Sequence, residues 1–240
     1  MTQGTTLAEL APVPSVPEAF ALTLAKAFAA RKGARFALML SGGPTAAACY
    51  GAVAGLPEGT IDWPMVDIYM GDERYVPAEH PDANQRLVRE TLIDRVAPVG
   101  SFTPIPTDGP PADCAQRYQA VVAALLRGGG IDMIHLGLGT DGHTASLFPG
   151  GPELDAGPEA LVVVSRDPNG VNEHLRLTIT YPVIAAARLV VFTVAGIAKR
   201  DALARVRRGA DLPATRVRAS RVCWIVDAAA LGEGGLRSDR

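Results

Sequence analysis

Short apolar runs, each closing on a glycine-rich turn, alternate along this chain with longer stretches of helical period, and that alternation leaves few folds open. An apolar run of about five residues suits a strand covered on both faces, and a helical stretch between two such runs makes a crossover that returns the chain parallel to its start. The pattern predicts an α/β fold, Rossmann-like, with an open, mostly parallel sheet and helices on both faces. Strands are expected at 36–40, 66–70, 133–138, 161–164, 175–179, 189–194 and 222–226, and helices at 16–31, 44–54, 84–95, 112–126, 181–187 and 198–208. The residues from Gly232 on are expected to fray. Loops rich in Pro and Gly at 99–111 and 148–158 do not split the composition, and no internal repeat is present, so residues 1–240 are read as one domain.

Composition narrows the function classes. A hydrophobic content of 48% over 240 residues supplies a substantial core, which argues against disorder. With 23 Lys+Arg against 25 Asp+Glu there is no basic field to hold a nucleic-acid backbone. The most apolar late stretch, 189–198, is half the roughly 20 residues that cross a bilayer. The start, MTQGTTLAEL, lacks a basic n-region, and the Ala-rich stretch after it is broken by Glu18, Lys26 and Arg31, so no signal peptide is expected. Cys49, Cys114 and Cys223 are odd in number and widely spaced, with no CxxC pair, and read as buried, reduced thiols of a cytoplasmic protein.

In an open parallel sheet ligands bind beyond the carboxyl ends of the strands. Four strand ends here carry groups suited to an anionic, oxygen-rich ligand: LSGGPT at 40–45, GDERYVP at 71–77, LGTDGHTASLFPG at 138–150 and VAGIAKR at 194–200. Ser41, Gly42 and Gly43, before a helix opening at Pro44, offer a hydroxyl and free backbone N–H groups for a phosphate, or make an ordinary tight turn. Arg74 can fork onto a phosphate with Asp72 or Glu73 holding it in place, or the three form a solvated charge cluster. Gly137, Gly139 and Gly142 match a dinucleotide GxGxxG only formally, because Pro149, Gly150, Gly151 and Pro152 forbid the long helix such a site needs. His143, beside Asp141 in that loop, is the candidate general base, its alternative being a histidine that merely caps or bonds a carbonyl. His135, inside a strand, reads as packed, and His80 and His174 as loop residues of little weight. Lys199 and Arg200 open a helix, and Arg176 shares a strand face with Thr178 and Thr180; Lys199 and Arg176 are candidates for the same pocket. No His, Cys and acid set has metal spacing, so no required metal is expected.

Together SGG, DERxVP with Asn84 after it, LGxxDGHTASLFPG, RLTxT and GxxKR have the order and spacing of the bacterial 6-phosphogluconolactonase family, which the chain resembles over residues 36–203. The resemblance implies a Rossmann-like fold shared with glucosamine-6-phosphate isomerases. It also implies cofactor-free hydrolysis of 6-phospho-D-glucono-1,5-lactone in the oxidative pentose phosphate pathway. By that resemblance His143 is the catalytic histidine, with Asp141 orienting it or holding a sugar hydroxyl, and the 41–43 turn, Arg74 and Lys199 lie on the phosphate side. The chain departs from the family where Pro44 replaces the Ser of SGGST and Ala83 replaces the Ser before Asn84, each removing a hydroxyl. The expected partner is a small sugar phosphate, with no nucleic acid and no membrane, for a chain acting as a monomer or at most a homodimer. Two rival readings are an amino-sugar-phosphate isomerase or deaminase and a non-catalytic sugar-phosphate sensor. The first is opposed by Ser146, Leu147, Phe148 and Pro149, which place no carboxylate after the loop; the second would call for a helix-turn-helix or a basic face that the chain has no room for.

Overall fold

The computed structural model describes residues 10–232, so the fraying expected from Gly232 on falls, Gly232 itself apart, on residues outside that range. The chain opens with helix α1 (Val16–Ala29), then strand β1 (Phe36–Leu40), α2 (Pro44–Ala54), β2 (Val66–Met70) and a three-residue strand β3 (Asp72–Arg74). Helix α3 (Asn84–Val88) continues through a π turn at Arg89–Ile93 into α4 (Asp94–Val96), and β4 (Ser101–Thr103), α5 (Pro111–Gly128) and β5 (Met133–Gly137) follow. After a long loop come β6 (Val162–Ser165), β7 (Arg176–Ile179), α6 (Tyr181–Ala185), β8 (Leu189–Val194), α7 (Arg200–Arg207), α8 (Pro213–Arg216), β9 (Val222–Val226) and α9 (Ala228–Leu231).

Six strands form one sheet in the order β4-β2-β1-β5-β8-β9, and all its pairings are parallel. The central strands are buried on both faces, as their uninterrupted apolar sequences require: β1 and β8 have no exposed or intermediate position. Right-handed crossovers put the helices that step towards β4 on one face and those that step towards β9 on the other. Hence α2 and α3 share a face, α1 packing onto α2, while α5 and α7 lie opposite.

The expectation of a single sheet needs correction. β6 and β7 leave the main sheet and pair antiparallel with β3 in a second, three-stranded sheet of order β3-β7-β6. A single residue, Gly71, joins the two: its N–H donates to the Leu40 carbonyl at the end of β1, and its own carbonyl accepts from the Ile179 N–H on β7. Within the main sheet the chain order reverses between β1 and β5, which are neighbours. That reversal parts the loops leaving the two strands and opens a crevice at their carboxyl ends, where the small sheet supplies one wall.

Candidate active site

A cleft of ≈ 460 Å³ occupies this crevice, a size that suits a phosphorylated monosaccharide. It is lined by Ser41, Gly42, Gly43, Asp72, Arg74, Asn84, Gly139, Asp141, His143, Arg176 and Lys199, all read from the sequence as site residues, whereas Glu73 and Arg200 are not in its lining. The loops that follow β1, β2, β5 and β8 converge there, and β3 and the first residue of β7 add the two arginines.

At one end His143 and Asp141 form a close pair. The His143 Nδ1 lies 2.6 Å from Asp141 Oδ1, and the same oxygen accepts the His143 backbone N–H at 3.0 Å. Burial works to raise the Asp141 pKa, but its hydrogen bonds with His143 and that residue's charge outweigh it, so the carboxyl sits below its ordinary value and is ionised near neutrality. An ionised carboxylate only accepts, so the proton of a neutral His143 ring belongs on Nδ1 and Nε2 keeps a lone pair. The ring rests 4.9 Å from Phe148, centroid to centroid, and is about a quarter exposed. Gly139 makes the pair possible: a Cβ on it would stand 2.1 Å from His143 Nδ1 and 2.5 Å from Asp141 Oδ1. Ala145, next along, holds a left-handed φ of 47°, a conformation costly outside glycine and kept where a loop shape is over-determined. That loop is pinned by Ser146, whose hydroxyl donates to Asp72 Oδ2 at 2.7 Å and whose N–H donates to Thr178 Oγ1 at 3.1 Å.

At the other end two arginines face each other. β3 and β7 pair antiparallel with Arg74 directly opposite Arg176, so both guanidinium groups enter one wall of the cleft. Arg176 is buried at 6% exposure, and its pKa is lowered first by burial and then by the Arg74 charge. The Nε atoms of both arginines, and Asn84 Oδ1, are buried with no hydrogen-bond partner among the described residues. Buried polar groups are nearly always satisfied, so three orphans around one cleft mark where ligand atoms belong. Lys199 lines the same cleft; burial lowers its pKa, partly offset by the Asp141 charge.

Two sequence readings are corrected in detail. Neither acid beside Arg74 orients its guanidinium: Arg74 Nη1 donates instead to the Asp82 carbonyl, Asp72 accepts from Asn84 and Ser146, and Glu73 is turned to backbone N–H groups. The Ser41 hydroxyl is not a free donor either, since it gives its proton to the His135 carbonyl at 2.8 Å. What remains of the cradle is backbone: Gly43 takes φ 97°, open to glycine alone, and Pro44 begins α2, leaving the N–H groups of Thr45 and Ala46 without partners inside the helix. Gly42 is required by its neighbour, because a Cβ there would lie 1.8 Å from Asn84 Oδ1.

His135 is packed and satisfied, as the sequence suggested. Its Nδ1 lies 2.9 Å from the Tyr50 hydroxyl and its Nε2 2.8 Å from Thr193 Oγ1, while burial lowers its pKa to about 3. Tyr50 donates to the Ser41 carbonyl, so the ring proton is on Nδ1 and Thr193 donates to Nε2. The sequence missed Asp82 and His174, which meet at 2.9 Å beside Arg74. It also missed Val171 and Asn172 on the cleft wall, where a polar loop carries no periodic signal. Among the described residues no group of three or more His, Cys, Asp or Glu could hold a metal ion, and no helix is long and apolar enough to cross a membrane.

Residues 11–224 match the family described as glucosamine-6-phosphate isomerases/6-phosphogluconolactonase. The chain is 36% identical to a 6-phosphogluconolactonase of Nostoc sp. over 85% of its own length and 87% of that protein's. It is 40% identical to one of Synechocystis sp. over 70% of each. Its fold is similar to the crystal structure of a 6-phosphogluconolactonase from Leishmania guyanensis, with a TM-score of 0.77, 25% identity and coverage of 95% of this chain and 100% of that one.

Proposed function

Since the chain belongs to the family of glucosamine-6-phosphate isomerases and 6-phosphogluconolactonases, we propose that its cleft hydrolyses 6-phospho-D-glucono-1,5-lactone to 6-phosphogluconate, the second step of the oxidative pentose phosphate pathway. The observation that carries this reading is the arrangement of the cleft: an imidazole with one nitrogen tied to a carboxylate at one end, and at the other two arginines whose buried Nε atoms have no partner among the described residues.

The chemistry follows from the ends. His143 Nε2 takes a proton from a water molecule as that water attacks the lactone carbonyl, and the imidazolium formed is stabilised by Asp141 across 2.6 Å. The carbonyl oxygen becomes an oxyanion, for which backbone N–H groups of the glycine-rich loops are the donors. When the tetrahedral intermediate collapses, the ring C–O bond breaks and the proton on His143 passes to the departing alkoxide. Arg74 and Arg176 grip the phosphate, with Lys199 as a further cation, and Asn84 Oδ1 accepts from a sugar hydroxyl. Anchoring the remote phosphate turns its binding energy into placement of the reacting carbon. The unpaired thiols of Cys49, Cys114 and Cys223 support a reducing, cytoplasmic setting.

The test is lactone hydrolysis coupled to phosphogluconate dehydrogenase and corrected for the spontaneous reaction. His143→Asn should lower kcat by about 10²- to 10⁴-fold while 6-phosphogluconate binding is nearly kept. Wild-type protein without activity above the spontaneous rate, or an unchanged kcat in the variant, would overturn the proposal. Release of ammonia from glucosamine 6-phosphate would instead favour the deaminase reading, which the absence of a carboxylate at 146–149 opposes.

A further inference from the structure

Glu73 has no place in the cleft. Along β3 the side chains alternate, so Asp72 and Arg74 line the cleft while Glu73 points away from it and is fully buried. Its carboxylate is given over to backbone: Oε1 accepts from the N–H of Arg74 at 2.7 Å and from that of Asn84 at 2.6 Å, and Oε2 accepts from the N–H of Gln85 at 2.7 Å. Asn84 and Gln85 open α3, and Ala83 before them has no side-chain oxygen with which to cap the helix. A hydroxyl at that point is the usual cap, and it would bond one helical N–H. The carboxylate on the neighbouring strand replaces it and does more, because it bonds a strand residue as well.

Two of the three backbone groups it holds belong to residues of the cleft. Arg74 presents a guanidinium with an orphaned Nε, and Asn84 presents an orphaned Oδ1 against Gly42 while its Nδ2 donates to the Asp72 carbonyl at 3.0 Å. Burying a carboxylate is costly, and α3 needs no more than a short polar cap, so helix capping alone does not account for the residue.

We propose that Glu73 is a positioning residue for the phosphate end of the cleft: one carboxylate clamps the backbone of Arg74 to that of Asn84 and so fixes the span between the strand that offers the guanidinium and the helix that offers the amide. What those two residues bind rests on the functional reading above; the clamp itself rests on the hydrogen bonds. The charged and titratable groups acting on Glu73 are Asp72 beside it, Arg176 on the paired strand and Tyr118 from α5, while Arg74 meets it through its backbone N–H. Burial pushes the carboxyl up to about 7 against the pull of its three backbone bonds, so it is already partly neutral near physiological pH. Glutamine therefore reproduces its shape at small cost in charge while setting an N–H donor against backbone donors.

The test compares Glu73→Gln and Glu73→Asp with the wild-type chain by lactone kinetics, calorimetric binding of 6-phosphogluconate and thermal unfolding. In Glu73→Gln, KM and the product Kd should rise together by about tenfold while kcat stays within about threefold, because His143 and Asp141 lie on a different loop. Glu73→Asp keeps both oxygens on a shorter arm and should fall between the two; it also carries the test if the glutamine variant does not fold. A lower unfolding temperature with KM and Kd unchanged would reduce Glu73 to a helix cap and overturn the proposal. So would a fall in kcat at constant KM. Wild-type chain that binds 6-phosphogluconate without hydrolysing the lactone would defeat the functional reading and leave the clamp testable by binding alone.

Discussion

Gly139→Ala adds one methyl group at the most crowded point of the cleft. The added Cβ would stand 2.1 Å from His143 Nδ1, 2.3 Å from its Cε1 and 2.5 Å from Asp141 Oδ1, all well inside contact distance. The Gly139 backbone is held by its N–H to the His143 carbonyl at 2.8 Å and by its own carbonyl, which accepts from Gly142 at 3.0 Å, so the main chain has little room to yield. The ring cannot retreat far either, with Phe148 at its back. One partner must swing out, and the 2.6 Å bond between imidazole and carboxylate is lost. A hydrogen bond to a charged group contributes about 1.5 to 3 kcal/mol. If it is made fully only once His143 carries the proton, losing it lowers kcat by roughly 10- to 150-fold. KM should move little, because Arg74, Arg176 and Asn84 are untouched. The coupled lactonase assay gives both constants, and a thermal melt within a few degrees of wild type would show that the fold survives. Combined with Asp141→Ala, the loss should be less than additive, since both changes break the same bond. A Gly139→Ala enzyme with kcat within about twofold of wild type would refute the argument that the Asp141–His143 pair sets turnover.

Two further outcomes follow from buried charge. Arg176→Met removes a buried cation lying opposite another, so the ligand-free variant should unfold at a higher temperature than wild type, by about 1 kcal/mol, yet gain much less from added 6-phosphogluconate. A lower melting point without ligand would show that Arg176 has a structural partner after all. His135, with a folded pKa of about 3 against about 6.5 unfolded, takes up its proton first in the unfolded chain as pH falls. Its contribution is present above about pH 6.5 and drains away towards pH 3, by at most ~1.4 kcal/mol per pH unit. Urea unfolding at several pH values should show that slope, and His135→Asn should flatten it; equal slopes would contradict the burial argument.

Strands β1, β2, β8 and β9 match their expected bounds because each is an unbroken run of alternating or wholly apolar residues between turn formers. β3 and β4 were illegible: three residues, DER and SFT, are too few to show a period. The second sheet was missed although one signal was present. Only residues 166–175, with no helix among them, separate β6 from β7, and a parallel return needs a crossover of a dozen or more residues. In the cleft, the residues of every strand end were readable because the topology of a parallel sheet gathers those ends. The partners were not. Which oxygen Ser41 faces, which backbone Glu73 binds and which carbonyl Arg74 meets depend on contacts between segments remote in sequence.

Gly71 ties the last residue of β1 to β7, so the wall bearing the arginines is fastened to the sheet bearing the imidazole by hydrogen bonds of 2.7 and 2.9 Å. A cleft fastened in this way acts as a ruler of set length. In the proposed reaction the closed lactone has one length between its phosphate and its carbonyl; ring opening would relax that constraint and leave a new carboxylate beside Asp141, whose carboxyl sits below its ordinary value. On the proposed function, fixed geometry and like charge would then act together against the product.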